Sequence, residues 1–78
     1  MKFLKYRKGV IMQIFCDRLK ELRKADALTQ KDLAEILHTT NSSVCDWERG
    51  RAEPSLDMLV MLSKYFEVSV DYMLGLED

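Results

Sequence analysis

This 78-residue chain predicts an all-α fold, a compact bundle of five short helices, and three observations carry that reading. Glycine and proline are confined to Gly9, Gly50, Pro54 and Gly75, so helices can run unbroken between them. No stretch alternates apolar and polar side chains on β-branched positions as a half-buried strand would. Apolar residues recur instead at helical spacing, and most such segments open on Ser or Thr, which cap the free N–H groups of a helix start.

Ile14 or Phe15, Leu19, Leu22 and Arg23 share one helical face and predict a first helix over about residues 15–24. Thr29 is the next cap, with Asp32 three residues on to complete a capping-box-like pair. Leu33, Ala34 and Leu37 form the inward stripe of helix 2, which should stop at Leu37 or His38. Thr40 caps helix 3, whose buried side holds Val44, Trp47 and Glu48 and which ends where Gly50 can take positive φ. Pro54-Ser55 restarts the chain, and Leu56, Leu59, Leu62, Ser63 and Phe66 trace the expected buried face of helix 4. Ser69 caps a last short helix, Val70 to Leu74, stopped by Gly75.

A chain this short is one domain that buries only about 60% of its unfolded surface. Residues 14–78 are expected to form it, with residues 1–13 a leader or arm. Hydrophobic content of 47% and charged content of 32% are those of an ordinary soluble protein. No apolar run nears the roughly 18 residues of a membrane span, and charge interrupts the first stretch too often for a secretory signal, so a cytoplasmic location is expected. Cys16 and Cys45 lack metal-ligand spacing and read as free thiols. With one histidine, no glycine-rich phosphate loop and no nucleophile–base pair, the expectation is no enzyme, no cofactor, no metal and no small-molecule ligand.

Between helices 2 and 3 only His38 and Thr39 precede the cap, a link so short that the two helices must cross steeply, as in a helix-turn-helix. Helices of eight or nine residues are unstable alone, so they must serve a packed unit. The outward face of helix 3 carries Ser42, Cys45, Asp46 and Arg49, with Asn41 at its tip. Serine and asparagine are mediocre helix formers, and an idle exposed helix would favour Lys, Glu or Ala. They are side chains that read base edges. Net charge is −1 overall, but +6 for residues 1–25 and −7 for the rest, so the whole-chain balance decides little.

Over roughly residues 15 to 75 the chain resembles the phage Cro/repressor-type (Xre-like) helix-turn-helix regulators, of the lambda-repressor-like fold. The matched positions are Arg18-Leu19, Leu22-Arg23, Leu28-Thr29-Gln30, Leu33-Ala34, Leu37, Val44, Trp47-Glu48, Gly50, Pro54, Leu59 and Val68-Ser69-Val70-Asp71-Tyr72. The resemblance implies double-stranded operator DNA as partner, a homodimer on a near-palindrome, and transcriptional repression or activation. It implies a phosphate contact from Gln30, helped by the free N–H groups of helix 2. Base reading falls to Thr40, Asn41, Ser42, Ser43 and Asp46, and further phosphate contacts to Arg49 and Arg51. Asn41 suits adenine, Asp46 a cytosine amino group, and the Thr40 methyl a thymine methyl.

The same resemblance implies a structural ion pair between Arg23 and Glu48, and the helical count independently turns Glu48 inward, where a carboxylate needs a partner. Two departures stand out. His38 occupies a turn position that is usually glycine, and Asp46 one that is often basic or amide. Flanking lysines are sparse, which predicts a shallow salt dependence of DNA binding.

Met58, Met61 and Tyr65 read as a second apolar stripe on helix 4, and Tyr72, Met73 and Leu76 as another exposed group, both candidates for a dimer interface. In the leader, Lys2, Lys5, Arg7 and Lys8 interleave with Phe3, Leu4 and Tyr6 as an arm gripping DNA would, while Met12 offers itself as an alternative start, the reading favoured slightly. The rival function is a helix-turn-helix used to bind protein, antitoxin-like, supported by the acidic balance after residue 25 and by Met58, Met61 and Tyr65.

Overall fold

The computed structural model describes residues 7–77. In chain order its helices are α1 (Lys8–Ala25), α2 (Gln30–Leu37), α3 (Asn41–Arg49), α4 (Leu56–Phe66) and α5 (Val70–Leu74), with no strand among the described residues. Phe15 and Leu19 of α1, Leu33 and Leu37 of α2, Val44 of α3, Leu62 of α4 and Met73 of α5 are fully buried, so every helix contributes to one core. Trp47 and Ala34 complete it.

Local hydrogen-bond chemistry sets where the last four helices start. Thr29, Thr40, Ser55 and Ser69 each accept the N–H of the residue three positions on, as their sequence positions predict. The helix ends are equally uniform. Each of the five closes on a residue of positive φ: Ala27 (56°), His38 (55°), Gly50 (74°), Glu67 (55°) and Gly75 (83°). In every case that residue and the next donate back into the last turn, for example His38 N to Glu35 O at 3.2 Å and Thr39 N to Ala34 O at 2.9 Å. This is the Schellman arrangement, and only two of the five positions carry the glycine that usually fills it.

Three expectations need correction. First, α1 begins at Lys8, not near residue 15, so residues 8–13 of the expected leader are its opening turns. The apolar face continues backward from Phe15 to Met12, which packs on the core, and Lys8 reaches Glu53 at 3.4 Å in an exposed pair. Lys2, Phe3, Leu4, Lys5 and Tyr6 lie outside the described residues.

Second, Leu56 is not on the buried face of α4; it is 80% exposed. At 100° per residue it stands about 120° round from Leu62, the centre of that face, whereas Met58 and Phe66 flank Leu62 at about 40° on either side. Met58 and Met61 therefore pack against the core and do not form a free stripe, while Tyr65, at the edge, stays exposed with its ring edge-on to Phe66.

Third, Met73 is fully buried and unavailable to an interface, because α5 lies across α1 and points it inward. Tyr72 is half-buried beneath Arg18, whose guanidinium sits 4.3 Å from the ring centre and also donates to the Tyr72 carbonyl.

Candidate nucleic-acid interface

The αL residue His38 lets α2 turn into α3 across three residues, His38, Thr39 and the cap Thr40, and this holds α3 with its far side in water. Val44, Trp47 and Glu48 face inward; Thr40, Asn41, Ser42 and Arg49 are exposed, and Ser43, Cys45 and Asp46 are half-buried. Arg51, just past the helix, is exposed. Among the described residues no hydrogen bond or ion pair engages the side chains of Asn41, Ser42, Asp46, Arg49 or Arg51.

Thr40 and Ser43 are partly committed. The Thr40 hydroxyl accepts from Ser43 N at 3.0 Å and donates to Ser43 Oγ at 3.0 Å, so the two hydroxyls are locked into the cap. The Thr40 methyl and the Ser43 hydroxyl proton remain for contact.

At the start of α2 the capping box is complete. Asp32 N donates to Thr29 Oγ1 at 3.0 Å, and Thr29 N donates to an Asp32 carboxylate oxygen at 2.9 Å. That backbone N–H, together with the Thr29 side chain, holds the Asp32 carboxyl below the usual carboxylate range. Two of the N–H groups at this helix start, Thr29 N and Asp32 N, are thereby taken by the chain itself.

Glu48, 3% exposed at its side chain, gathers three donors. Arg23 Nε reaches Oε2 at 2.7 Å and Arg23 Nη2 reaches Oε1 at 3.1 Å, the expected ion pair in its two-pronged form. The hydrogen bond to Glu48 pushes the Arg23 guanidinium pKa up. Arg23 Nη1 also donates to Leu28 O at 2.7 Å. The third donor is Gln30, whose Nε2 lies 3.1 Å from Glu48 Oε1. The family resemblance implied a phosphate contact for Gln30 and, separately, the Arg23–Glu48 pair, with no signal that they meet.

The structure also brings together parts the sequence kept apart. Lys8, Gly9 and Gln13 of α1 line a hollow of about 410 Å³ with Arg49 and Gly50, so the basic start of α1 runs beside the end of α3. Cys16 is beneath it, buried, donating to Trp47 O at 3.0 Å, and burial pushes its thiol pKa up. No group of three or more His, Cys, Asp or Glu among the described residues is placed to hold a metal ion. Nor is any described helix long and apolar enough to cross a membrane.

A family profile described as helix-turn-helix matches residues 19–73, from the middle of α1 through α5. YobD of Bacillus subtilis, an HTH-type transcriptional regulator, is 46% identical over 65 residues, covering 83% of this chain and 58% of that one. A transcriptional regulator from Listeria innocua superposes with a TM-score of 0.76 at 28% identity, over 82% of this chain and 60% of its own. The restriction-modification controller protein C.AhdI of Aeromonas hydrophila does so with a TM-score of 0.71 at 31% identity, over 80% of this chain and 94% of its own. The chain spans about half the length of the curated relatives it matches.

Proposed function

The chain belongs to the helix-turn-helix family, and from that membership we propose that it is a sequence-specific regulator of transcription, a repressor, binding double-stranded DNA through α3. Membership in a family of transcriptional regulators is also what sets enzymatic roles aside. The observation that carries the proposal is that Asn41, Ser42, Asp46 and Arg49 along α3 have no side-chain hydrogen bond or ion pair among the described residues.

α3 enters the major groove with its N-terminal end leading. Asn41 pairs with adenine, Asp46 accepts from a cytosine amino group, the Thr40 methyl meets a thymine methyl, and Ser42 and Ser43 offer hydroxyls to either kind of edge. Gln30 on one side, and Arg49 and Arg51 on the other, hold phosphates and fix register. The start of α1, beside Arg49, brings Arg7 and Lys8 near the same strand. The protein works in the cytoplasm.

Operator binding is by a homodimer on a near-palindrome, with recognition helices about one DNA turn apart. With Met73 in the core and Met58 and Met61 packed on it, the interface draws on Leu56 and Val60, exposed large apolar side chains one turn apart on the same side of α4. Leu56→Ser with Val60→Ser then leaves a monomer by sedimentation equilibrium, and a wild-type chain that stays monomeric at high micromolar concentration, with and without duplex, removes the dimer.

Selection of bound fragments from random-sequence duplex DNA, followed by a salt titration on the winner, tests the central claim. A single enriched motif that Asn41→Ala or Asp46→Ala relaxes at one position supports it. No duplex outcompeting bulk DNA overturns it.

A further inference from the structure

Gln30 does not hang free at the start of α2. Its Nε2 donates to Glu48 Oε1 at 3.1 Å, and that carboxylate is itself gripped by Arg23 at 2.7 Å and 3.1 Å. A carboxylate oxygen only accepts, so the nitrogen end of the amide must face Glu48 and its two-fold ambiguity is removed. Arg23 is fixed in turn by the Leu28 carbonyl, immediately ahead of the Thr29 cap. Side chains from α1 and α3, and the link between α1 and α2, all bear on this one amide.

An amide NH₂ has two protons, and one bond to Glu48 leaves the other free. The two-pronged contact with Arg23 offsets the Glu48 charge, so an anion approaching Gln30 meets an N–H dipole and no bare carboxylate. Ordering a long glutamine side chain on binding costs rotamer freedom, and that cost falls where folding has already restricted it.

We infer that Glu48 is a positioning residue for DNA binding: it holds the Gln30 amide so that the spare N–H points out of α2 toward a phosphate oxygen. This rests on the DNA-binding reading above. It gives the Arg23–Glu48 pair a second task besides holding α1 to α3, and it means that a residue with no DNA contact sets the strength of one that has.

The test is a mutant cycle of Glu48→Asp with Gln30→Ala. Aspartate keeps the charge for Arg23 but withdraws the carboxylate by one methylene, so it releases the weaker partner, Gln30. Affinity is measured for a random-sequence duplex of about 20 bp, two helical turns, at low salt, on variants whose circular dichroism is that of the folded wild type. Glu48→Asp should weaken the Gln30 chain about threefold to tenfold, the worth of one hydrogen bond, and the Gln30→Ala chain by less than about twofold. Relaxation of the Gln30 side-chain ¹⁵N in the free protein should be as restricted as the backbone in wild type and become mobile in Glu48→Asp. Equal losses in both backgrounds, no loss at all, or a mobile amide in wild type overturns the inference; if Glu48→Asp fails to fold, the wild-type relaxation decides. Absence of duplex binding by wild type sinks the DNA reading and this inference with it, whereas binding without coupling sinks this inference alone.

Discussion

Arg23 Nε on α1 lies 2.7 Å from Glu48 Oε2 on α3, and the two side chains are only 11% and 3% exposed. The bond spans the first and third helices and pairs Glu48, the one buried charged residue among the described residues. Removing one partner leaves the other as an uncompensated charge. Arg23→Ala or Glu48→Ala should therefore each cost about 3–5 kcal/mol, a large part of the roughly 4–12 kcal/mol available to a chain of this size. Replacing both with apolar residues of similar volume should cost less than either single change. Urea unfolding of the three variants checks this; an additive double mutant would contradict it.

The left-handed helix ends predict opposite effects at different positions. His38 has φ 55°, which costs a side-chain-bearing residue about 1–2 kcal/mol, so His38→Gly should stabilise by up to about 1 kcal/mol once the greater unfolded-state freedom of glycine is counted. Gly75→Ala should destabilise more than Gly50→Ala. A Cβ at Gly75 would stand 2.6 Å from Ile14 Cδ1 and 3.0 Å from Ile14 Cγ2, while one at Gly50 meets only Cys16 Sγ at 3.5 Å. Thermal melting of the three variants orders them.

Asp32 links stability to acid pH. Its carboxyl is held below the ordinary range by hydrogen bonds from the Thr29 backbone and side chain, which the unfolded chain lacks. The stabilisation is therefore fully present above the unfolded value, about 3.9, and is lost as pH falls through the depressed folded value. Wild type should exceed Asp32→Asn in melting temperature at neutral pH, and the gap should close in strong acid. A gap that is constant down to pH 2 would contradict the assignment.

On DNA, charged and neutral contacts should separate by salt. Arg49→Ala and Arg51→Ala should each lower the slope of log affinity against log salt by about 1. Gln30→Ala should weaken binding at every salt concentration with the slope unchanged, because a neutral donor releases no counterion. Asn41→Ala should cost about 1–3 kcal/mol on the selected site and little elsewhere. Filter-binding or fluorescence titrations at several salt concentrations read all four.

Much of this was legible in the chain. Thr29, Thr40, Ser55 and Ser69 mark their helix starts because a cap is a contact between residues three apart, and His38 and Gly50 mark the ends of the crossing pair. The ion pair of Arg23 with Glu48 followed from the family resemblance and from the inward turn of Glu48. Ala27 and Glu67 gave no warning of their positive φ, since neither is a residue that favours it. Leu56 was misplaced because a stripe of leucines one and two turns apart looks continuous in sequence, although the 100° step carries its end off the buried face.

What the chain settled alone is whatever depends on neighbours within a turn or two: five helices, four of their caps, a two-residue turn, and a polar ridge on α3. Tertiary packing decided the rest. It turned Met73 inward, carried α1 back to Lys8 beside Arg49, covered Met58 and Met61, and set Gln30 against a carboxylate eighteen residues away. Those contacts join residues far apart in sequence, and whether a half-apolar helix face is covered depends on which helix lies across it, a choice that no local period encodes.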